Sequence, residues 1–268
     1  MELALDMAGF EDIPGDSAIH VPGDEIERIL FGIDLRTPEL LLAAAEGYDC
    51  AISHHPVGGS ATLRFHEVLE RHVDQMVAVG VPLHAAEHTM RETIQDRRIL
   101  NAITNYDHDP SVAALLGVPY LNIHTPLDEI GRRRIAETAA AMGTDATIAE
   151  MIDRFYETFG EFRHAATEIE VRVGRPENRV GKLVISHGAG TNGGYPVAKS
   201  YFDHDIDTVV YIHCRPGDTR RLIDEYGESR TLIVTGHIAS DSIGINPYID
   251  RLRAEGLEVT TFSGIIPG

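Results

Sequence analysis

Short apolar runs alternate with longer amphipathic stretches along most of the chain, the pattern of strands followed by helices in an α/β protein. Arg28 to Asp34 (RILFGID) reads as a buried strand. Thr37-Pro38 supplies a cap and an N1 proline for a helix through Leu40, Leu41, Ala44 and Ala45, which Gly47 ends. Asp49 to Ser53 reads as the next strand, Leu63 to Val79 as helix, Val81 to Ala85 as a third strand, and Arg91 to Tyr106 as helix. The middle is helix-rich, with helical periodicity over Asp128 to Met142 and Thr147 to Phe159. Ile169 to Val173 alternates as a strand should, and strand–helix pairs then resume: Val180 to Ser186 with Tyr195 to Phe202, Thr208 to His213 with Thr219 to Tyr226, and Leu232 to Thr235 with His237 to Glu255. Leu257 to Thr261 closes the chain as a strand. The duplicated strand–helix units predict two α/β lobes, each a mixed or largely parallel sheet flanked by helices. The expected first lobe is residues 1–124 plus 237–268, and the second is residues 125–236.

At 268 residues and 43% hydrophobic content, the chain is large enough for a sizeable core. No apolar run is long enough to span a bilayer. The start, Met1-Glu2-Leu3-Ala4-Leu5-Asp6, lacks the basic and long apolar segments of a signal peptide, so a cytoplasmic protein without membrane association is expected. Lys and Arg number 23 against 42 Asp and Glu, a formal charge of −19, which argues against general nucleic-acid binding. Cys50 and Cys214 are the only cysteines and form no C-x-x-C pair. A thiolate site is therefore not expected, and any metal must be held by His, Asp and Glu.

The pair His54-His55, between the apolar run Cys50-Ala51-Ile52-Ser53 and Pro56, is hard to explain by packing. Side chains alternate along a strand, so only one of two neighbours enters an ordinary core, and Pro56 biases His55 to extended backbone. Two further groups follow predicted strands: Glu87-His88-Thr89-Met90-Arg91-Glu92 and Gly236-His237-Ile238-Ala239-Ser240-Asp241. Each places His and a carboxylate four residues apart, on one face of a helix. Either pair alone is more simply a surface ion pair. Strand ends of one sheet converge, so three such groups together point to one site. An imidazole and carboxylate set suits zinc, iron, manganese, nickel or cobalt. More donors than one tetrahedral ion needs suggest two divalent ions, about 3.5–4 Å apart, and hydrolytic chemistry.

His54-His55-Pro56, His88-Thr89-x-x-Glu92 and Gly236-His237-x-x-x-Asp241 together resemble the family named for NGG-one-interacting factor three, whose members are described as GTP cyclohydrolase I type 2 or dinuclear metal-binding proteins. The resemblance runs from about Ile29 to the C-terminus. The family pattern near the second motif is usually His-Thr-Asn-Leu-Asp, and the last motif usually ends in Glu. This chain is read with Glu92 and Asp241 there. The resemblance implies His54, His55, Glu92, His237 and Asp241 as metal ligands, with two ions in a cleft between two α/β lobes. It also implies hexameric rings, and a small substrate that is nucleotide-like by the same analogy. His88, His124 and His213 are the candidate proton-transfer residues.

Asn122-Ile123-His124-Thr125-Pro126-Leu127-Asp128 is read as standing outside the family pattern. His124 and Asp128 form either a proton-donor pair or a helix cap. The loop Gly188-Ala189-Gly190-Thr191-Asn192-Gly193-Gly194 fits G-x-G-x-x-G, but no acidic residue ends the next strand. It reads first as a tight turn, second as an anion site and last as a dinucleotide site. Arg132, Arg133 and Arg134 read as a solvated basic turn. His20, His66, His72, His108, His164 and His204 read as solvated or half-buried. A metal-dependent hydrolase is the expected function. A non-enzymatic metal-binding scaffold and a nucleotide-cofactor oxidoreductase are the rivals.

Overall fold

A computed structural model describes residues 1–268. In chain order the elements are α1 (Glu2–Ala8), β1 (Ala18–Val21), β2 (Arg28–Gly32), α2 (Thr37–Glu46), β3 (Cys50–Ser53), α3 (Gly59–Leu63), α4 (Phe65–Val68), α5 (Arg71–Ala78), α6 (Leu83–Ile103), α7 (His108–Leu116), β4 (Tyr120–Asn122) and α8 (Thr125–Ala140). Then follow α9 (Ile148–Thr158), α10 (Gly160–His164), β5 (Glu170–Val173), β6 (Leu183–Ile185), α11 (Gly194–Asp203), β7 (Thr208–Tyr211), α12 (Pro216–Tyr226), β8 (Thr231–Val234), α13 (His237–Ala254) and β9 (Glu258–Phe262). No helix is long and apolar enough to cross a membrane.

The chain divides into two compact units. The first comprises Met1–Val68, Ile94–Ile130 and Gly244–Ile265. Its five-stranded sheet has the order β1-β4-β3-β2-β9, parallel except for the edge strand β1. Alternation along the central strands loads both faces. Ile29 and Phe31 of β2 and Cys50 and Ile52 of β3 pack with Tyr248, Ile249 and Leu252 of α13. Leu30 and Ala51, between them in sequence, pack with Leu40 and Ala43 of α2 and with Tyr120. A sheet covered on both faces explains why these strands read as continuous apolar runs.

The second unit comprises Leu69–Thr93, Gly131–Ile243 and Ile266–Gly268. Its sheet has the order β5-β8-β7-β6, with β5 antiparallel and the others parallel. Ile185, Val210 and Ile233 of the sheet share a core with Met151, Phe155, Phe159 and Phe162. α9 is entered through a capping box, in which Thr147 Oγ1 accepts from the Glu150 amide and the Glu150 carboxylate accepts from the Thr147 amide.

Several expected elements differ. Residues 81–85 are not a strand: α6 starts at Leu83, and the amides of Ala85 and Ala86 donate to the Pro82 carbonyl. Proline is preorganised for a helix entry, and the buried Ala86 and Met90 lie one turn apart. A four-residue apolar run does not separate strand from helix by periodicity. The expected Leu63 to Val79 helix is three short ones, α3, α4 and α5. The Arg132-Arg133-Arg134 run lies inside α8, where Arg134 donates to the Ile243 carbonyl and its guanidinium lies 5.5 Å from the centre of the Phe159 ring. His72 is fully buried rather than solvated.

Candidate metal centre

In the first unit the site grows from the carboxyl ends of two adjacent parallel strands, β3 and β4, where ligands gather in α/β sheets. The ladder continues past β3: the His54 and His55 amides donate to the Gly32 and Ile33 carbonyls. Ser53 locks the turn, its Oγ donating to the Ile33 and His55 carbonyls and accepting from the Leu35 amide. His54 is fully buried and His55 half-buried, with ring centres 5.2 Å apart. β4 delivers His124, whose carbonyl accepts from the Leu127 and Asp128 amides and so opens α8. His124 and Asp128, four apart, share one helix face.

These groups converge. The His124 ring lies 4.9 Å from that of His54 and 5.7 Å from that of His55. The ligand nitrogens of all three lie within 4.8 Å of one another. Asp128 Oδ1 stands 3.2 Å from His54 Nε2, and Oδ2 stands 3.6 Å from His124 Nε2. Asp128 therefore faces both imidazoles. The half-buried Phe65 forms one wall, 6.2 Å from the His124 ring.

Each imidazole is oriented by its other nitrogen. His54 Nδ1 is 2.9 Å from the Ile123 carbonyl, His55 Nδ1 is 2.9 Å from Asp34 Oδ1, and His124 Nδ1 is 2.7 Å from Asp16 Oδ2. A carbonyl or carboxylate oxygen only accepts, so the hydrogen-bond pattern assigns the proton to Nδ1 in each. In the neutral ring Nε2 then carries the lone pair that binds metals. Metal-ligating histidines are held in this way by oxygen acceptors. Three such imidazoles with a buried carboxylate are a donor set for a divalent transition ion, and a cation would offset the cost of burying Asp128. The residues present fit a metal.

In the second unit, the ladder between β7 and β8 likewise runs on, with the Thr235 and Gly236 amides donating to the Tyr211 and Ile212 carbonyls. α13 then starts at His237, whose Nε2 is 3.4 Å from Oδ2 of the buried Asp241. His213, exposed after β7, stacks edge-on against His237 with ring centres 4.7 Å apart. His88 and Glu92 are exposed on α6 and belong to no group of three converging donors.

The carboxylate beside His54, Asp128, carried a signal in the sequence. His124-Thr125-Pro126-Leu127-Asp128 matches His-Thr-Asn-Leu-Asp at every position but the third, whereas residues 88–92 match only at the first two. Asp16 and Asp34, which orient His124 and His55, carried none.

The Gly-rich loop is a tight turn. Gly188, Gly190 and Gly193 have φ of 69, 72 and 79°. Asn192 donates to the Ser186 carbonyl and accepts from the Ile212 and His213 amides. From α5, Arg71 and Gln75 donate to the Gly188 and His187 carbonyls. The second unit also contains a cavity of about 520 Å³, lined largely by aliphatic side chains such as Ala136, Ala139 and Val184.

An α/β chain with imidazoles and carboxylates gathered at parallel strand ends defines a candidate metalloprotein. No family model matches the chain. It is 48% identical to a NIF3 superfamily protein from Sphaerobacter thermophilus, over 98% of this chain and 96% of that one, with a TM-score of 0.93. Reduced HcgD from Methanocaldococcus jannaschii, 14% identical with a TM-score of 0.57 over 97% of this chain and 94% of that one, shares the fold. A GTP cyclohydrolase 1 type 2 homolog from Streptomyces coelicolor is 29% identical over 192 residues, 68% of this chain. That match covers 57% of the relative's length. The chain belongs to the NIF3 superfamily.

Proposed function

We propose that the protein is a metal-dependent hydrolase of a small, nucleotide-like substrate. Its ion is held by His54, His55, His124 and Asp128. The observation that carries this reading is the set of three imidazoles, each tied at Nδ1 to an oxygen acceptor, around a buried carboxylate. A divalent ion in such a site supplies Lewis acidity and lowers the pKa of a bound water. His124 is buried between Asp16 and Asp128, which suits holding an ion better than exchanging protons with solvent. His213 is exposed beside His237 and is the imidazole suited to proton transfer. The nucleotide-like substrate rests on the name of the Streptomyces coelicolor relative.

The test is an assay of metal-loaded protein against nucleotides, phosphoesters and cyclic amides. Turnover is expected that disappears in the His54→Ala, His55→Ala double variant and drops at least about tenfold in His213→Ala. Full metal occupancy with no turnover on the whole panel would favour a metal-binding scaffold instead.

A further inference from the structure

We infer that Asp16, on the segment before β1, is the positioning residue that sets the tautomer of His124. This inference rests on the proposed metal reading only for its consequence, metal affinity; the tautomer itself can be observed without metal.

Asp16 is fully buried, and its carboxylate is a hub of accepted hydrogen bonds. Oδ2 takes His124 Nδ1 at 2.7 Å and the Thr125 hydroxyl at 2.6 Å. Oδ1 takes the Thr125 amide at 3.4 Å and the Ser17 hydroxyl at 3.3 Å. The segment is itself held down, because Asn122 Nδ2 donates to the Asp16 carbonyl at 2.7 Å and the His124 amide donates to Ser17 Oγ at 2.9 Å. Asp16 therefore reaches the ring of His124 and both the amide and the hydroxyl of its neighbour Thr125 at once. Burying a carboxylate is costly, and four donors offset that cost. Capping the amide at the start of α8 would need only Oδ1 and its Thr125 contact. The short bond to the far side of the His124 ring does something else. It keeps the proton on Nδ1 and leaves Nε2, which faces Asp128, as the lone-pair nitrogen.

Asp16→Asn separates this role from packing, because the two side chains have the same shape. With the amide oxygen at the Oδ1 position, kept toward the Thr125 amide, the amide nitrogen takes the Oδ2 position and faces both His124 Nδ1 and the Thr125 hydroxyl, each of which must then present a lone pair. The imidazole proton then moves to Nε2, and the nitrogen facing Asp128 becomes a donor. A wrong tautomer of this kind leaves geometry intact and disables the ring.

The experiment uses the full-length chain, with histidines labelled with 15N and metal removed by chelator. His124 is assigned by loss of its signals in His124→Asn. Wild type should show His124 protonated at Nδ1, and Asp16→Asn should show it protonated at Nε2. Affinity for cobalt(II), read by competition with a chelating dye, should fall ten- to a hundredfold in Asp16→Asn. Thr125→Val removes another Asp16 partner; it should lower the unfolding midpoint without moving the tautomer. A wild-type His124 with no proton on Nδ1 overturns the inference even if Asp16→Asn fails to fold. So does an Asp16→Asn protein with unchanged tautomer. A tautomer that moves in a protein whose wild type takes up no cobalt supports the positioning role and instead removes the metal reading.

Discussion

His54 Nε2 stands 3.2 Å from Asp128 Oδ1, with the histidine side chain fully buried and the carboxylate 4% exposed. His54 follows β3, and Asp128, 74 positions on in sequence, lies in the first turn of α8, which follows the neighbouring parallel strand β4. A neutral imidazole and a carboxylate oxygen facing each other both present lone pairs, which is tolerable in a buried site only when a proton or a cation lies between them.

Asp128→Ala is expected to lower zinc or cobalt affinity at least about tenfold, because it removes the carboxylate from a mixed nitrogen and oxygen donor set. Dye-competition titration of the purified variant checks this. Affinity equal to wild type would show that the carboxylate holds no ion.

Glu92→Ala and His88→Ala, by contrast, should leave metal content unchanged, since both side chains are exposed on α6. Elemental analysis of the two variants checks this, and a metal-free Glu92→Ala protein would restore the ligand set that the family resemblance implied.

Stability should fall with acid through His72. Complete burial pushes its pKa down from 6.5 to about 4. Between those values the unfolded chain takes up the proton and the folded protein does not, so stability is full above about pH 6.5 and is lost as pH falls toward 4. The shift corresponds to roughly 3 kcal/mol. Urea unfolding of chelated wild type and His72→Gln between pH 7 and 4.5 should show a steeper loss for wild type. Parallel curves would mean that His72 titrates alike in both states.

Tyr120→Phe should cost about 1–2 kcal/mol. The Tyr120 hydroxyl donates to the Leu35 carbonyl at 2.5 Å in a buried position, and its removal leaves that acceptor without this donor. Denaturant melts of the two proteins measure the difference, and a change below about 0.5 kcal/mol would mean that water replaces the hydroxyl.

Much of this organisation was legible in the sequence. His54-His55-Pro56 stood out because adjacent imidazoles at a strand end cannot both be core residues, and the structure presents them at the end of β3. The strand–helix pairs from Thr208 onward were readable from their apolar runs and closely match β7 through β9. β4 was not: three residues directly after Pro119 are too short to show a period. With β4 unseen, His124 and Asp128 had no strand to deliver them. The run at residues 81–85, read as a strand, drew attention to His88 and Glu92 instead. Asp16 was illegible for another reason: its partner His124 is 108 residues away, and nothing local marks a loop carboxylate as buried.

Metal content of chain purified without chelator, measured by mass spectrometry of the elements in wild type and in a His54→Ala, Asp128→Ala double variant, tests the central claim most directly. Wild type should carry zinc, iron, manganese, nickel or cobalt in stoichiometric amount, and the folded double variant should lose it. Wild-type protein that is empty as purified and stays empty after incubation with each of these ions would contradict it.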